Sequence, residues 1–368
     1  MASNRRTKRS GLGRFLFGFT ARTIMLLNAG VLVLSYLSLI VNPAKAWFFT
    51  IFGLLFFPFF LINLFLLIWA VIRRSKSFVI PLLALLPAFF LVGRYVQFGA
   101  PEPVPAGEET FKVVSYNVGK FEMYPERSGI ADKEECADSV FAFLRGTGAD
   151  IICLQEMKTA RGVDVKEYLS GRMPGYNVEY FAHTSRHGSY AAVILSRFPV
   201  LRKGKFDFDE SSNLALYADL DTGDGVVRVY NCHFQSYAVS VSGLAEGIAH
   251  KDSVFVQQAE EKMRSSIIRR PQQVGQVLDD IRESPVKSIV TGDFNDTPMS
   301  YTYSRLKRGN RDSFVEAGRG FGGTYTVLRP FIRIDYVLYP SCFKAVSHKV
   351  VKKKLSDHYP VVTELKIN

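Results

Sequence analysis

The first hundred residues of the chain contain no carboxylate. Residues 1–101 carry eleven Lys and Arg and neither Asp nor Glu. Three stretches within them lack any charge: Thr23 to Ala44 (22 residues), Ala46 to Ile72 (27 residues) and Ser77 to Gly93 (17 residues). A helix needs about 20 apolar residues to cross a hydrocarbon core of roughly 30 Å. The first two runs reach that length. The third falls slightly short, with Arg94 placed to snorkel from its end. Thr50 and Asn63 are the main polar groups of the second run. Core helices of soluble proteins seldom extend this far without a polar face. Residues 1–100 are therefore expected to form a bundle of about three transmembrane helices, near 23–44, 46–72 and 77–98. Ala44-Lys45-Ala46 has the small residues of a signal-peptide cleavage site, but the run before it is too long and two more follow.

Loop charges suggest an orientation. Arg5, Arg6, Lys8, Arg9, Arg14 and Arg22 precede the first run, and Arg73, Arg74 and Lys76 separate the second from the third. Lys45 alone separates the first from the second, and the flank from Ala100 to Thr110 holds three Glu and no base. The positive-inside rule then puts the N-terminus in the cytoplasm and the remainder outside, as in a bacterial inner-membrane protein with a periplasmic domain. A third run that only re-entered the bilayer would reverse the side. The overall charge of +12 divides into +11 for residues 1–101 and +1 for the rest. The basic excess belongs to the anchor, so the remaining domain lacks the charge of a dedicated duplex-DNA binder.

Pro101, Pro103 and Pro105 make residues 101–110 a stiff linker. The domain expected over 111–368 is long enough for one large core. Its four cysteines, Cys136, Cys153, Cys232 and Cys342, show no CxxC spacing, which speaks against zinc and leaves the redox compartment open. Strand-like apolar runs cover 112–118, 150–156, 191–196, 214–219, 226–234, 288–293, 334–339 and 361–366. Helical stretches lie near 133–146, 254–268 and 269–282. Many strands with few helices between them suggest two packed sheets with helices outside.

Several of these runs stop at a carboxylate, amide or imidazole. Asn117, Gln155-Glu156, Asn231-Cys232-His233, Gly292-Asp293-Phe294-Asn295, Asp335 and Ser356-Asp357-His358 all sit at or beside strand ends. No recognisable motif pairs a Ser or Cys with a His as nucleophile and base. Hard oxygen ligands favour Mg²⁺ or Mn²⁺, and the inventory suits metal-assisted attack of water on a phosphate ester.

The ordered set Ser115-Tyr116-Asn117-Val118, Leu154-Gln155-Glu156, Ser196-Arg197-Phe198-Pro199-Val200, Asn231-Cys232-His233-Phe234, Gly292-Asp293-Phe294-Asn295, Arg333-Ile334-Asp335-Tyr336-Val337 and Ser356-Asp357-His358-Tyr359-Pro360-Val361 resembles the endonuclease/exonuclease/phosphatase, or DNase I-like, superfamily. The resemblance covers residues 111–368 and not the apolar region. It implies a four-layer α/β sandwich of two packed, mainly antiparallel sheets flanked by helices. It implies Glu156 as the principal ligand of Mg²⁺ or Mn²⁺, helped by Asn117 and Asp357. Asp293 would orient or deprotonate water, and Asn295 and His233 would hold the phosphate. His358 would touch the phosphate as well, with Asp335 fixing its tautomer.

The resemblance does not choose a substrate. A nucleic acid and a phospholipid or sphingolipid head group both fit, the lipid bilayer is a further expected partner, and no protein partner is inferable. A non-catalytic membrane receptor that keeps the fold is the alternative from another class. Gln235 to Arg270 reads either as a lid or as a solvated loop with one helix, and Arg319 to Tyr325 either as a phosphate-approaching Gly-rich loop or as a turn.

Overall fold

The computed structural model describes residues 4–99, 109–122, 129, 132–186, 188–209, 211–237, 249–250, 253–327 and 330–367. The chain divides into two compact units, Met1–Gly93 and Arg94–Asn368.

The first unit is helical: α1 (Asn4–Leu37), α2 (Phe48–Leu54), α3 (Phe56–Ile72) and α4 (Val79–Leu91). Gly18–Leu37 and Lys76–Arg94 are each long and apolar enough to cross a membrane, and α2 with α3 forms a further pair bent by 59°. The single helix expected over 46–72 is thus broken. Pro58 supplies the reason: in the first turn of α3 it lacks an N–H, and its ring excludes the carbonyl four residues back, at Leu54, where α2 ends. The helix expected over 77–98 also stops early, at Leu91, followed by a 3₁₀ turn over Val92–Arg94. Two polar side chains of the unit, Asn63 and Tyr36, bond from one helix to another. Asn63 Nδ2 donates to Asn28 O at 3.1 Å and to Phe59 O at 2.8 Å, and Tyr36 Oη donates to Ala84 O at 2.6 Å. Small polar contacts of this kind hold helices together where apolar burial gives no net drive.

The second unit is a sandwich. After the short β1 (Val96–Gln97) come β2 (Thr110–Asn117), α5 (Lys133–Thr147), β3 (Ile151–Thr159), α6 (Val165–Arg172), β4 (Asn177–Ser185), β5 (Gly188–Ser196), β6 (Val200–Asp207), β7 (Leu214–Asp221) and β8 (Val226–His233). They are followed by α7 (Ser253–Glu283), β9 (Lys287–Asp293), α8 (Tyr301–Lys307), β10 (Asn310–Asp312), α9 (Ser313–Ala317), β11 (Gly320–Phe321), β12 (Asp335–Pro340), β13 (Phe343–Val350) and β14 (Val361–Ile367). One sheet runs β13-β14-β2-β3-β5-β4 and the other β10-β12-β9-β8-β7-β6. Each sheet is mixed, with a parallel pair at its centre (β2 with β3, β8 with β9) and antiparallel neighbours.

Alternation along the strands builds the layers. Val113, Ile151, Cys153, Ile194, Leu216, Val229, Ile289 and Val361 fill the space between the sheets. The opposite parity, Val114, Tyr116, Ile152 and Leu154, packs on Val140, Phe141 and Leu144 of α5. Likewise Tyr230, Val290 and Tyr336 pack on Val274 and Val277 of α7 and Tyr303 of α8. The two helices expected over 254–268 and 269–282 are one, with Pro271 inside it.

The edges of the second unit also depart from the sequence reading. Arg94 does not extend toward lipid: its Nη1 donates to Pro298 O at 3.0 Å, and its carbonyl accepts from Arg333 Nε at 3.0 Å. Arg333 is fully buried and grips both oxygens of Asp312, at 3.1 and 2.8 Å. The Gly-rich run Arg319 to Tyr325 supplies β11, which pairs with β1, and Gly322 N–H donates to Tyr95 O. It serves packing. Part of the stretch read as a lid or a solvated loop with one helix, residues 238–248 and 251–252, lies outside the described residues, and from Ser253 onward it is the N-terminal half of α7. Its described beginning is fixed: Gln235 N–H donates to Gln273 Oε1, and Arg270 Nε donates to Gln235 O.

Candidate active site

Topology alone gathers the chemistry. In a sheet with a parallel central pair and antiparallel flanks, the C-terminal ends of the pair lie beside the N-terminal ends of their neighbours. Thus Asn117 and Glu156 near the ends of β2 and β3, His233 and Asp293 ending β8 and β9, Asp335 opening β12, and His358 just before β14 share one rim. Register fixes this: His233 lies opposite Asp293, Asp293 opposite Asp335, and Asn117 opposite Gln155. Two amides lock the sheets together beneath it. Gln155 Nε2 donates to Asn231 Oδ1 at 2.7 Å, and Asn231 Nδ2 donates to Leu154 O and Val193 O, both at 2.8 Å.

Glu156 owes its direction to a defect in β3. By alternation it would follow Ile152 and Leu154 toward the outer layer. A bulge interrupts the register between Leu154 and Met157, and Glu156 takes a left-handed φ of 53°. Bulges re-aim side chains in this way, and strain of roughly 1–3 kcal/mol in a non-glycine residue is typical of functional positions. Its carboxylate receives Asn117 Nδ2 at 3.3 Å, stands 3.5 Å from His233 Nε2, and lies 3.8 Å from Lys120 Nζ. Burial alone would raise its pKa. His233, Lys120, His358 and Asn117 together outweigh burial and hold the carboxyl below its usual range.

Asp293 is buried at the centre. Oδ2 receives Asn117 Nδ2 at 3.0 Å and faces His358 Nε2 at 3.7 Å and His233 Nε2 at 3.8 Å, while Oδ1 accepts the Asn295 N–H at 2.8 Å. Burial, with the nearby charge of Asp335, pushes its carboxyl up to about 6 despite the two imidazoles. His358 Nδ1 bonds Asp335 Oδ2 at 3.0 Å. Burial opposes its charge, but Asp335 and then Asp293 hold the imidazole well above its ordinary pKa. Asp293, Asp335 and His358 offer ligand atoms within 4.8 Å of one another. They are engaged with each other and with Asn117, an arrangement suited to moving and stabilising a proton.

The remaining expected residues occupy the same rim. Asn295, at a left-handed φ of 51° that Asn tolerates, donates Nδ2 to Phe234 O at 2.9 Å and so braces the loop after His233. Asn117 turns its NH₂ to the two carboxylates while its Oδ1 accepts the Gly119 N–H at 3.0 Å; as placed, it orients Glu156 and Asp293. Ser356 Oγ donates to Asn117 O at 2.8 Å and lies 3.2 Å from the Asp357 carboxylate. Among the described residues no hydrogen bond or ion pair joins Asp357 to Glu156.

A cavity of about 340 Å³ opens beside Glu156 and His233 and is lined further by Lys120, His183, Tyr190, Ser212 and Ser236. Sequence reasoning missed this wall. His183 lies on an edge strand in no motif, whereas Lys120 stands three residues past Asn117 and Ser236 falls within the Gln235 to Arg270 stretch read as a lid or a solvated loop.

Residues 114–358 match the model of the Endonuclease/Exonuclease/phosphatase family, and the chain belongs to that family, whose members hydrolyse phosphoesters. Residues 14–95 match a second model, described as a domain of unknown function (DUF8431). No curated protein matches the sequence. Similar solved structures include the endonuclease/exonuclease/phosphatase of Beutenbergia cavernae, with 19% identity, a TM-score of 0.53 and coverage of 70% of this chain and 72% of that one. The corresponding protein of Bacteroides vulgatus shows 19% identity and a TM-score of 0.52 over 71% and 100% of the two chains. The catalytic domain of human Nocturnin, solved with a sulfate anion, shows 15% identity and a TM-score of 0.50 over 70% and 95%. At these identities the likeness is one of fold.

Proposed function

We propose that this protein is a membrane-anchored phosphoester hydrolase that depends on a divalent metal, Mg²⁺ or Mn²⁺. Its reaction is in-line attack of water on a phosphodiester of nucleic acid or of a phospholipid or sphingolipid head group. The observation that carries the reading is the meeting of Asn117, Glu156, His233, Asp293, Asp335 and His358 at one rim. The anchor would be the helical unit of residues 1–100, with 101–110 as linker and 111–368 as catalytic domain. The charge asymmetry of the apolar runs favours a periplasmic catalytic domain.

The donor set fits a hard cation. Glu156 is ionised, held by strain at the cavity edge and supported by a neighbouring amide. One or two carboxylates with water and substrate oxygens are what Mg²⁺ asks of a protein. Glu156 is the ligand in this reading, with Asp357 as a second carboxylate and Asn117 setting their geometry. When bound, the metal would offset charge on the phosphoryl oxygens.

The protein's own groups supply the rest. Asp293, with a pKa near neutrality, takes the proton of the attacking water. His358, kept cationic by Asp335, faces Asp293 and offers positive charge to the phosphoryl group. Among the described residues His233 Nε2 has no hydrogen-bond partner, and in this reading it would hold a phosphate oxygen.

Turnover of bis(p-nitrophenyl) phosphate by the full chain, with Mg²⁺, with Mn²⁺ and with chelator, tests the chemistry. Metal-dependent release of nitrophenol is expected, and absence of hydrolysis with either ion contradicts it. Labelling by an impermeant thiol reagent of cysteines introduced after Pro105, in intact cells, tests the side of the membrane.

A further inference from the structure

We infer that Arg270, buried on α7, is a positioning residue for the reaction: it ties the loop after β8 to the loop after β9 and so holds His233 in place against Glu156 and Asp293. The inference rests on the phosphoester-hydrolase reading and adds a residue to its machinery.

The ladder between β8 and β9 ends at His233 and Asp293. The two residues after His233 still carry backbone groups that need partners, and other segments supply them, mostly with side chains. Phe234 N–H donates to Asp293 O, and Phe234 O accepts from Asn213 Nδ2 and Asn295 Nδ2, both at 2.9 Å. Gln235 N–H donates to Gln273 Oε1 at 2.8 Å, and Gln235 O accepts from Arg270 Nε at 2.9 Å. Arg270 and Gln273 stand three apart on α7 and so share a face. That face takes the place of a neighbouring strand, and every backbone polar group of Phe234 and Gln235 is held.

Arg270 also reaches the second loop. Its Nη1 lies 2.8 Å from Oδ2 of Asp296, three residues past Asp293, and donates to Tyr237 Oη at 3.2 Å. Tyr237 Oη in turn donates to Asp296 Oδ1 at 3.1 Å, and the guanidinium covers the Tyr237 ring, 4.4 Å from its centre. Arg270 and Asp296 are both buried, where close packing holds each side chain to one arrangement. A planar fork serves acceptors in several directions at once; an ammonium is a single point. Among the described residues Arg270 bonds none of Glu156, His233 and Asp293, so its effect reaches the site through the two loops. A buried arginine on β8 itself is the structural counterpart. Arg228, near the opposite end of the strand, grips both oxygens of Asp219 at 2.6 and 2.9 Å and bonds Asp280 at 2.8 Å, with no bond to either catalytic loop among the described residues.

The experiment uses the full chain in detergent with Mg²⁺ and bis(p-nitrophenyl) phosphate. Arg270→Lys keeps a charge beside Asp296 but cannot also hold the Gln235 carbonyl. It should lower kcat/KM by ~10-fold or more, since small displacements at a reacting centre are costly. In a His233→Ala background the same change should cost less than about twofold, because residues acting through one another are not additive. In an Asp335→Asn background it should keep its full cost. Gln273→Met cuts the other tie to Gln235 and should repeat this coupling to His233. Arg228→Lys is the control: it should lower the thermal midpoint while leaving kcat/KM within about twofold of wild type. Equal losses from Arg270→Lys with and without His233 assign the pair to stability alone and overturn the inference, as does wild-type turnover of Arg270→Lys. If Arg270→Lys does not fold, Gln273→Met carries the same comparison; if neither folds, the ties serve the fold and the inference is overturned. Absence of hydrolysis by wild type with Mg²⁺ or Mn²⁺ fails the underlying reading and this inference with it; hydrolysis with additive losses fails the inference alone.

Discussion

Asp335 and His358 meet across the two sheets. Asp335 opens β12 of one sheet, His358 immediately precedes the last strand of the other, and Oδ2 and Nδ1 lie 3.0 Å apart. The bond leaves Nε2 of His358 facing Asp293 at 3.7 Å. A carboxylate in this position fixes the tautomer and stabilises the imidazolium. Asp335→Asn and His358→Ala should each lower kcat/KM by ~10²–10⁴. The double variant should be little worse than the worse single, because groups acting as a unit are not additive. Loss of His233, which contacts Glu156 and Asp293 instead, should add nearly independently to that of Asp335. Coupling of Asp335 to His233 and not to His358 contradicts the pairing.

The same pair shapes the pH profile. Asp293, raised by burial to about 6, acts as a base only when deprotonated, so kcat/KM should climb as pH rises through that value. His358, held well above its ordinary pKa, stays protonated through neutrality and sets the falling limb at higher pH. Asp335 is the strongest group favouring charge on His358 and also raises Asp293. Asp335→Asn should therefore move both limbs toward lower pH. A profile measured from pH 5 to 9 that kept the falling limb in place would refute this.

Arg333 anchors the start of the catalytic unit. It is buried against Asp312, and its Nε donates to the carbonyl of Arg94. Lysine cannot reproduce the two parallel bonds. Removing one partner of a buried pair of this kind costs about 3–5 kcal/mol, so Arg333→Met should lower the thermal midpoint of the full chain in detergent by roughly 10 °C, and Arg333→Lys, which keeps the charge, by less. Preserved stability would show the pair to be dispensable.

A buried histidine outside the site sets the response to acid. His348 is enclosed among Ser313, Thr363 and Phe314, and burial lowers its pKa to about 3. The folded state keeps it neutral, whereas an unfolded chain binds a proton near pH 6.5. Its contribution is therefore complete above pH 6.5 and is lost as pH falls toward 3, by ~1.4 kcal/mol per pH unit at most. His348→Gln should flatten stability against pH between 6 and 4, as read by thermal midpoints. An unchanged slope contradicts the assignment.

Gly292 explains why the Gly-Asp-Phe-Asn stretch begins as it does. Its φ is 128°, and a Cβ there would lie 2.0 Å from the carbonyl oxygen of Cys232 on the neighbouring strand. Gly292→Ala should separate β8 from β9 and displace His233 from Asp293. Loss of soluble expression, or a large fall in kcat/KM in whatever folds, is expected; wild-type turnover would contradict it.

How much of this was legible in the sequence follows from burial. The eight expected strands are the interior ones, where both neighbours bury a continuous apolar run. Of the six missed strands among the described residues, β4, β6, β10 and β13 are the outer edges of the two large sheets, and β1 and β11 form a short pair of their own. Edge strands carry exposed charge, as Arg202, Lys203 and Lys205 do on β6, which hides them from a hydrophobicity reading. Most of the set stood out because Asn117, His233 and Asp293 close interior strands and Asp335 and His358 stand at the start of others; Glu156 instead lies inside β3, at its bulge. Arg333 was visible only as a motif letter, since its partner Asp312 lies on a missed edge strand. Neither His183 on β4 nor the bulge that turns Glu156 inward leaves a mark in a one-dimensional pattern.

The central claim is that Glu156 holds the catalytic divalent ion. Its most direct test compares wild type with Glu156→Gln for turnover of bis(p-nitrophenyl) phosphate across a Mg²⁺ titration. The account predicts a fall in kcat of ~10²-fold or more and a shift of the half-saturating Mg²⁺ to higher concentration. Wild-type-like turnover of the variant at limiting Mg²⁺ would contradict it.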